Sequence, residues 1–200
     1  KEERTYAKLG WFCLQYGGSE YAISRDFNLD IKEAVKLVQG IKRAYPNLFG
    51  YMDALKVYAK QQKKLVNRFG AVTRFPVFNN TAERQAINFP FQSEVSTYNH
   101  LSFIDLHKIA RTVGFDKFRV LFTIHDSIDG IIRTDLIPIV YNLIKRVMTL
   151  PRKGMQLLVD IELGTDNWLT LQLPTEQQLQ EIEKYKDLEI PDLVKLLMES

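Results

Sequence analysis

Residues 118–134 read FRVLFTIHDSIDGIIRT, and this stretch sets the class of fold. Two runs of apolar and β-branched residues, 118–124 and 128–134, flank the polar triplet HDS. Such runs, bounded by turn residues, are typical of buried strands. The stretch therefore predicts two strands joined at a tip, where the carboxylate of Asp126 is held by strands that are locked in a core.

Helical periodicity dominates most of the remaining chain. Helices are predicted over 1–16, 31–43, 48–64, 81–112 and 135–149, with a hairpin over 65–78 that turns near Gly70 and a further strand over 157–163. Pro90 is expected to break or kink the fourth helix. Thr175 and Gln178 form a capping-box pattern that opens a C-terminal helix, and Pro191 begins a last short one. Along the chain, helices come first and a sheet with crossing helices comes later, and this order predicts an α+β architecture.

The composition is that of a folded globular protein. Of 200 residues, 46% are hydrophobic and 26% are charged, which excludes disordered, collagen-like and mucin-like chains. The single cysteine, Cys13, excludes a disulfide framework and a zinc site of the paired-thiolate kind. No apolar run approaches the roughly 18 residues of a membrane helix, and no targeting signal is seen. We expect a soluble, cytoplasmic protein with no membrane partner.

The charge is distributed unevenly along the chain. Residues 32–74 contain ten basic side chains and only Glu33 and Asp53 as acids, whereas residues 176–200 contain seven acids and three lysines. The basic block is interleaved with aromatic residues, a pattern that suits a nucleic-acid backbone. A solvated, lysine-rich helical face is the alternative interpretation.

Four side chains near the start recur at intervals of four. Arg4, Lys8, Phe12 and Tyr16 lie on one stripe of a helix, with two cations followed by two aromatic rings. This order suits a ligand with a charged tail and a flat apolar head, such as a nucleoside triphosphate. The alternative is that both rings pack inward while the two cations are solvated.

The surrounding sequence resembles motif B of family A DNA polymerases, the bacterial polymerase I type. Residues 4–17 read RTYAKLGWFCLQYG, which follows the family's arginine, lysine, aromatic and tyrosine-glycine spacing. The resemblance implies that Arg4 and Lys8 hold the triphosphate of the incoming nucleotide, with Lys8 serving catalysis. It implies that Phe12 lies against the sugar. It further implies that two residues sit where the template base enters, namely Tyr16 and Gly17.

Further segments match the same family in the same order. Residues 82–92, AERQAINFPFQ, resemble the segment whose polar side chains line the primer–template, here Arg84, Asn88 and Gln92. Residues 122–126, FTIHD, resemble motif C, a hairpin of the palm. Residues 157–168 resemble the closing strand and its asparagine-tryptophan signature, Asn167 and Trp168. The resemblance covers about residues 1–170.

The motif C resemblance implies that Asp126 binds the catalytic metals, two Mg²⁺ ions with Mn²⁺ as an alternative, and that His125 contacts the primer end. The alternative for His125 is a histidine that only satisfies the turn. Hard carboxylate ligands suit magnesium, and nucleotidyl transfer needs divalent ions. Two positions depart from the family pattern. Cys13 stands where glycine is usual, and Ser127 stands where glutamate is usual. The triplet HDS is also similar to single-subunit phage-type RNA polymerases, so RNA synthesis is the alternative within this class.

The resemblance implies a right-hand polymerase fold. Helical fingers would occupy residues 1–80, and part of an antiparallel palm sheet with packed helices would occupy 81–175, followed by a helical tail over 176–200. Because the family's second catalytic aspartate lies upstream of motif B, we expect the C-terminal part or subunit of a divided polymerase, of a phage or plasmid replicase kind. A second polypeptide or missing N-terminal part would supply motif A, the thumb and any exonuclease. The partners would be primer–template DNA and dNTPs. A non-catalytic DNA-binding module derived from a polymerase is the competing class.

Overall fold

The computed structural model describes residues 10–14, 16–165 and 168–200, and the chain divides into two compact units, Lys1–Glu94 and Val95–Ser200. In these residues, helices combine with two antiparallel sheets of two strands each, which confirms the predicted α+β class. No helix in the described ranges is long and apolar enough to cross a membrane. The assignment of residues to fingers, palm and tail stays a prediction.

The first unit is mainly helical. After a helical segment at residues 10–14, its elements are α1 (Glu20–Phe27), α2 (Ile31–Ala44), α3 (Pro46–Gln62), β1 (Lys64–Val66) and β2 (Val72–Arg74), followed by the start of α4 (Asn80–Val113). The side chain of Asp30 caps α2 by accepting from the Lys32 N–H at 2.8 Å. Gly70 allows the β1–β2 turn because its φ is +92°. Helix α1 was not predicted from the sequence.

Two small cores hold the first unit. One gathers Leu14, Ile23, Ala34 and Val38, and the other gathers Ala59, Leu65, Phe75, Ala82 and Ala86. Leu65 lies on the buried face of the β1–β2 hairpin, which therefore has one covered and one open face.

Helix α4 is continuous through Pro90, so the break that the proline predicts does not occur. A proline removes one backbone hydrogen bond and crowds the preceding turn. Buried residues on both sides hold the helix in place, with Ile87 at 2% exposure before the proline and Tyr98 at 2% after it. The boundary between the two units falls within this helix, after Glu94.

The second unit contains the predicted pair of strands. Its elements are the end of α4, β3 (Phe118–Ile124), β4 (Ser127–Ile132), a 3₁₀ turn (Thr134–Leu136), α5 (Ile137–Met148), a 3₁₀ turn (Trp168–Thr170), α6 (Glu176–Glu183) and α7 (Ile190–Glu199). Strands β3 and β4 pair antiparallel, with an irregularity in register between Val120 and Phe122. The core lies between these strands and helices α4, α5 and α7, and its fully buried members include Phe118, Leu143, Leu193 and Leu197.

The predicted strand over 157–163 is wrong. Residues 157–162 have no regular structure, and Leu163 forms only an isolated bridge to Gln172. A strand needs a partner for its backbone groups. Leu158 is 92% exposed, whereas the other apolar residues of the run are half-buried, and no strand among the described residues pairs with 157–162.

Candidate active site

Tyr16 and Gly17 lie at a sharply defined helix end. The Gly18 N–H donates to the Cys13 carbonyl at 2.7 Å, and the Gly17 N–H donates to the Leu14 carbonyl at 3.0 Å. With Gly17 at a φ of +76°, this is a Schellman motif, which confirms the predicted stop of the helix. The motif fixes the direction in which the chain leaves the helix, and so it fixes the position of Tyr16.

Cys13, which departs from the family pattern, fits because residue 18 is a glycine. A Cβ added at Gly18 would lie 2.3 Å from the Cys13 Sγ and 2.6 Å from the Cys13 carbonyl oxygen. Burial and the nearby carboxylate of Asp26 raise the pKa of the Cys13 thiol. The side chain is therefore a neutral packing group at neutral pH.

The rings of Phe12 and Tyr16 are exposed. Their exposed fractions are 40% and 46%, and the ring centroids lie 6.4 Å apart with planes tilted by 49°. This excludes the alternative in which both rings pack into a core. The two cations of the same predicted stripe, Arg4 and Lys8, lie outside the described residues.

The start of α4 approaches this helix end. The Nε2 of Gln92 donates to the Tyr16 hydroxyl at 3.1 Å, and a Cβ at Gly17 would lie 3.1 Å from the Cγ of Arg84. The Nδ2 of Asn88 donates to the Arg84 carbonyl at 2.9 Å. Spacing of four residues places Arg84, Asn88 and Gln92 on one side of α4. The structure thus brings together residues that the sequence places more than 60 positions apart.

A shallow depression of about 230 Å³ adjoins the same place. The exposed surface of its lining is mainly polar. The lining residues are Gly17, Lys56, Asn80, Glu83, Arg84 and Ile87. Lys56, which sequence reasoning assigned only to the basic block, is a cation at this depression. It also forms an ion pair with Asp53 at 3.0 Å.

In the second unit, His125 and Asp126 form the two-residue turn between β3 and β4. Ile124 pairs directly with Ser127 across the turn, and His125 adopts a φ of +54°. Histidine is among the residues that accept this left-handed region. Ser127 supports the turn, because its hydroxyl donates to the Ile124 carbonyl at 3.0 Å and lies 3.2 Å from the Asp129 Oδ2. Serine at this position therefore has a structural role.

Asn99 was missed by sequence reasoning. It lies on α4 with 5% exposure, and its Nδ2 donates to the Ser127 carbonyl at 3.1 Å. This contact ties the β3–β4 turn to helix α4. No local pattern marks Asn99, since its partner is 28 positions away in the sequence.

The carboxylate of Asp126 is available to a cation. It is exposed and makes no hydrogen bond or ion pair with any residue in the described ranges. Those ranges contain no group of three or more His, Cys, Asp or Glu side chains placed to hold a metal ion. Asp126 therefore fits as one hard oxygen ligand, and the described residues do not make a complete metal site.

Comparisons with known proteins agree with the resemblance seen in the sequence. The family model described as DNA polymerase family A matches residues 1–170. DNA polymerase I of Pseudomonas aeruginosa is 26% identical over 175 residues, which is 84% of this chain and 19% of that protein. The DNA polymerase of Mycobacterium phage D29 is 28% identical over 169 residues, or 84% of this chain and 26% of that protein.

Among solved structures, the POL domain of Pol1 from M. smegmatis, in complex with DNA primer–template and dNTP, is similar with a TM-score of 0.67. The match has 18% sequence identity and covers 74% of this chain and 27% of that chain. It shows a shared fold. The chain spans about a fifth to a quarter of the length of these curated relatives.

Proposed function

Because this chain belongs to DNA polymerase family A, we propose that it takes part in template-directed DNA synthesis, with dNTPs added to a primer 3′-hydroxyl. The observation that carries the proposal is the meeting of Tyr16 and Gly17 with Arg84 and Gln92 at one place. Two motifs with no local relationship in sequence converge there. A binding site for one ligand explains that convergence, whereas independent surface roles do not.

The first unit would bind the incoming nucleotide and the DNA. Phe12 offers an exposed ring on which a sugar can lie, and Arg4 and Lys8 would hold the triphosphate through charge-assisted hydrogen bonds. Tyr16 and Gly17 would face the template base. The polar row on α4 would contact the primer–template: Arg84, Asn88 and Gln92.

The second unit would contribute one carboxylate to the chemistry. The primer 3′-hydroxyl attacks the α-phosphate of the nucleotide, and diphosphate leaves. Divalent ions such as Mg²⁺, when bound, stabilise the attacking and leaving oxygens of this displacement. Asp126 would supply one oxygen ligand, His125 would contact the primer end, and the remaining ligands would come from outside the described residues. We propose that another polypeptide region provides them.

The direct test of this assignment is Asp126→Ala in the complete, active form of the protein. Primer extension is expected to fall by at least about 10²-fold because a ligand of the reacting centre is lost. Affinity for primer–template DNA is expected to change little, since the proposed DNA contacts are made by other residues, including the neighbouring His125.

Asp116→Ala is the matched control. Asp116 is also an exposed aspartate, but it precedes β3 at the end of the strand opposite to the turn. If the complete protein with Asp126→Ala extends primers as wild type and still binds DNA, the catalytic assignment of Asp126 is refuted. This chain would then serve the complete protein as a non-catalytic DNA-binding module.

A further inference from the structure

The open face of the β1–β2 hairpin is built from two cations and two valines. Lys64 and Val66 point outward from β1, and Val72 and Arg74 are exposed on β2. The valines are 55% and 45% exposed, and the opposite face of the hairpin carries the buried Leu65. This face has no covering element among the described residues of its unit.

The two cations lie directly opposite each other. Lys64 pairs with Arg74 in the ladder, and the backbone hydrogen bonds of the hairpin run through the alternate pairs, Phe75 to Lys63 and Asn67 to Ala71. The pair Lys64–Arg74 therefore occupies a non-hydrogen-bonded position, where Cα atoms approach to about 4.5 Å. Like charges in this position destabilise a hairpin.

No acid among the described residues neutralises this pair. The sequence has no Asp or Glu between Asp53 and Glu83. Asp53 is paired with Lys56, and Glu94 is paired with Arg68. The remaining cations of this stretch make no ion pair with any described residue: Lys60, Lys63, Lys64 and Arg74. The local charge therefore has no counterion within the part of the chain that the structure describes.

We infer that this hairpin face is a second DNA-contact surface, which binds the phosphate backbone of duplex DNA. A bound polyanion reduces the repulsion between Lys64 and Arg74. Phosphate binding therefore stabilises the hairpin relative to its unbound state. The flanking side chains are aliphatic, and single-stranded binding sites instead present aromatic rings on which bases stack. The inference rests on the proposed function, because it deepens the DNA binding of the same unit.

The test measures binding of the full protein to a labelled blunt duplex by fluorescence anisotropy over a range of salt concentrations. In the double variant Lys64→Gln, Arg74→Gln, the slope of log affinity against log salt is expected to fall by about 1.8, because two phosphate contacts are lost. The double variant Lys145→Gln, Lys195→Gln removes the same charge from exposed positions of the second unit and is expected to keep the wild-type slope. The exchange Lys64→Arg, Arg74→Lys keeps both charges and is expected to bind as wild type.

A second readout concerns stability. Arg74→Glu places opposite charges across the ladder, so the free protein is expected to unfold at a higher temperature while its duplex affinity falls. An unchanged salt slope in the glutamine variant would overturn the inference. Loss of single-strand binding with duplex binding unaffected would also overturn it.

Primer extension on the same preparations separates this inference from the proposed function. If the protein shows no primer extension but the hairpin variant still loses duplex affinity, the DNA-contact surface is supported and the proposed function is refuted. If the protein extends primers but the hairpin variant binds duplex DNA with wild-type affinity, the proposed function is supported and the DNA-contact surface is refuted.

Discussion

At the residue scale, the turn after Tyr16 depends on the missing side chain of Gly18. Gly18→Ala is expected to destabilise the protein by roughly 1–3 kcal/mol, because the added Cβ would collide with both the sulfur and the carbonyl oxygen of Cys13. Thermal unfolding measures the effect. Cys13→Gly removes only the sulfur contact and is expected to rescue Gly18→Ala partially.

Gly50→Ala is the matched control for that substitution. Gly50 lies within α3, and a Cβ there would meet nothing within 4 Å. Alanine is the better helix former by up to about 1 kcal/mol, so this variant is expected to be slightly more stable than wild type. Equal destabilisation by the two changes would contradict the account of the Schellman turn.

At the scale of elements, the β3–β4 turn is held by helix α4 through Asn99. Asn99→Ala is expected to lower stability by about 0.5–1.5 kcal/mol, the usual net value of one hydrogen bond. Because the turn that carries Asp126 is loosened, kcat for primer extension is expected to fall while the KM for dNTP changes little. His100→Ala, at the exposed neighbouring position of the same helix, should leave both quantities unchanged.

The elements differ in how well the sequence predicts them. The limits of strand β3 follow from a continuous run of apolar and β-branched residues in the sequence. Burial is less complete than that run predicts, because Phe118 and Val120 are buried whereas Phe122 and Ile124 are exposed. The run over 157–163 has the same local composition but no partner strand, which a local pattern does not encode. Helix α4 continues through Pro90 because packing on both sides outweighs the local preference.

At the scale of the whole chain, the acidic tail is part of the core of the second unit. Leu193 and Leu197 of α7 are fully buried, and the Nζ of Lys117 donates to the Leu197 carbonyl at 2.6 Å. Leu197→Ala is expected to cost about 2–5 kcal/mol because it opens a cavity in that core. Urea unfolding followed by circular dichroism measures the change.

The neighbouring residue provides the control for the tail. Met198 is 58% exposed, so Met198→Ala is expected to stay within about 0.5 kcal/mol of wild type. If removal of the tail left the unfolding transition of the second unit unchanged, α7 would serve a partner and not this core.

Much of the candidate site could be predicted from the sequence, because its residues recur at helical spacing or follow a strand pattern. The family resemblance groups Arg84, Asn88 and Gln92, and the hydrogen bond from Gln92 to Tyr16 places this part of α4 beside the helix end. Asn99 and the opposed pair Lys64–Arg74 were not predicted, since each depends on a partner that only the folded chain brings near. The roles of Arg4 and Lys8 stay predictions.

Magnesium-dependent primer extension is the most direct test of the central claim. The protein would be purified from its native source with whatever binds it, and dNTPs and NTPs would be offered in parallel. We predict extension with dNTPs, and a co-purifying polypeptide needed for activity would identify the source of the remaining metal ligands. Extension with NTPs alone would favour the RNA polymerase alternative, and tight, salt-sensitive DNA binding without any extension would contradict the claim that this chain serves DNA synthesis.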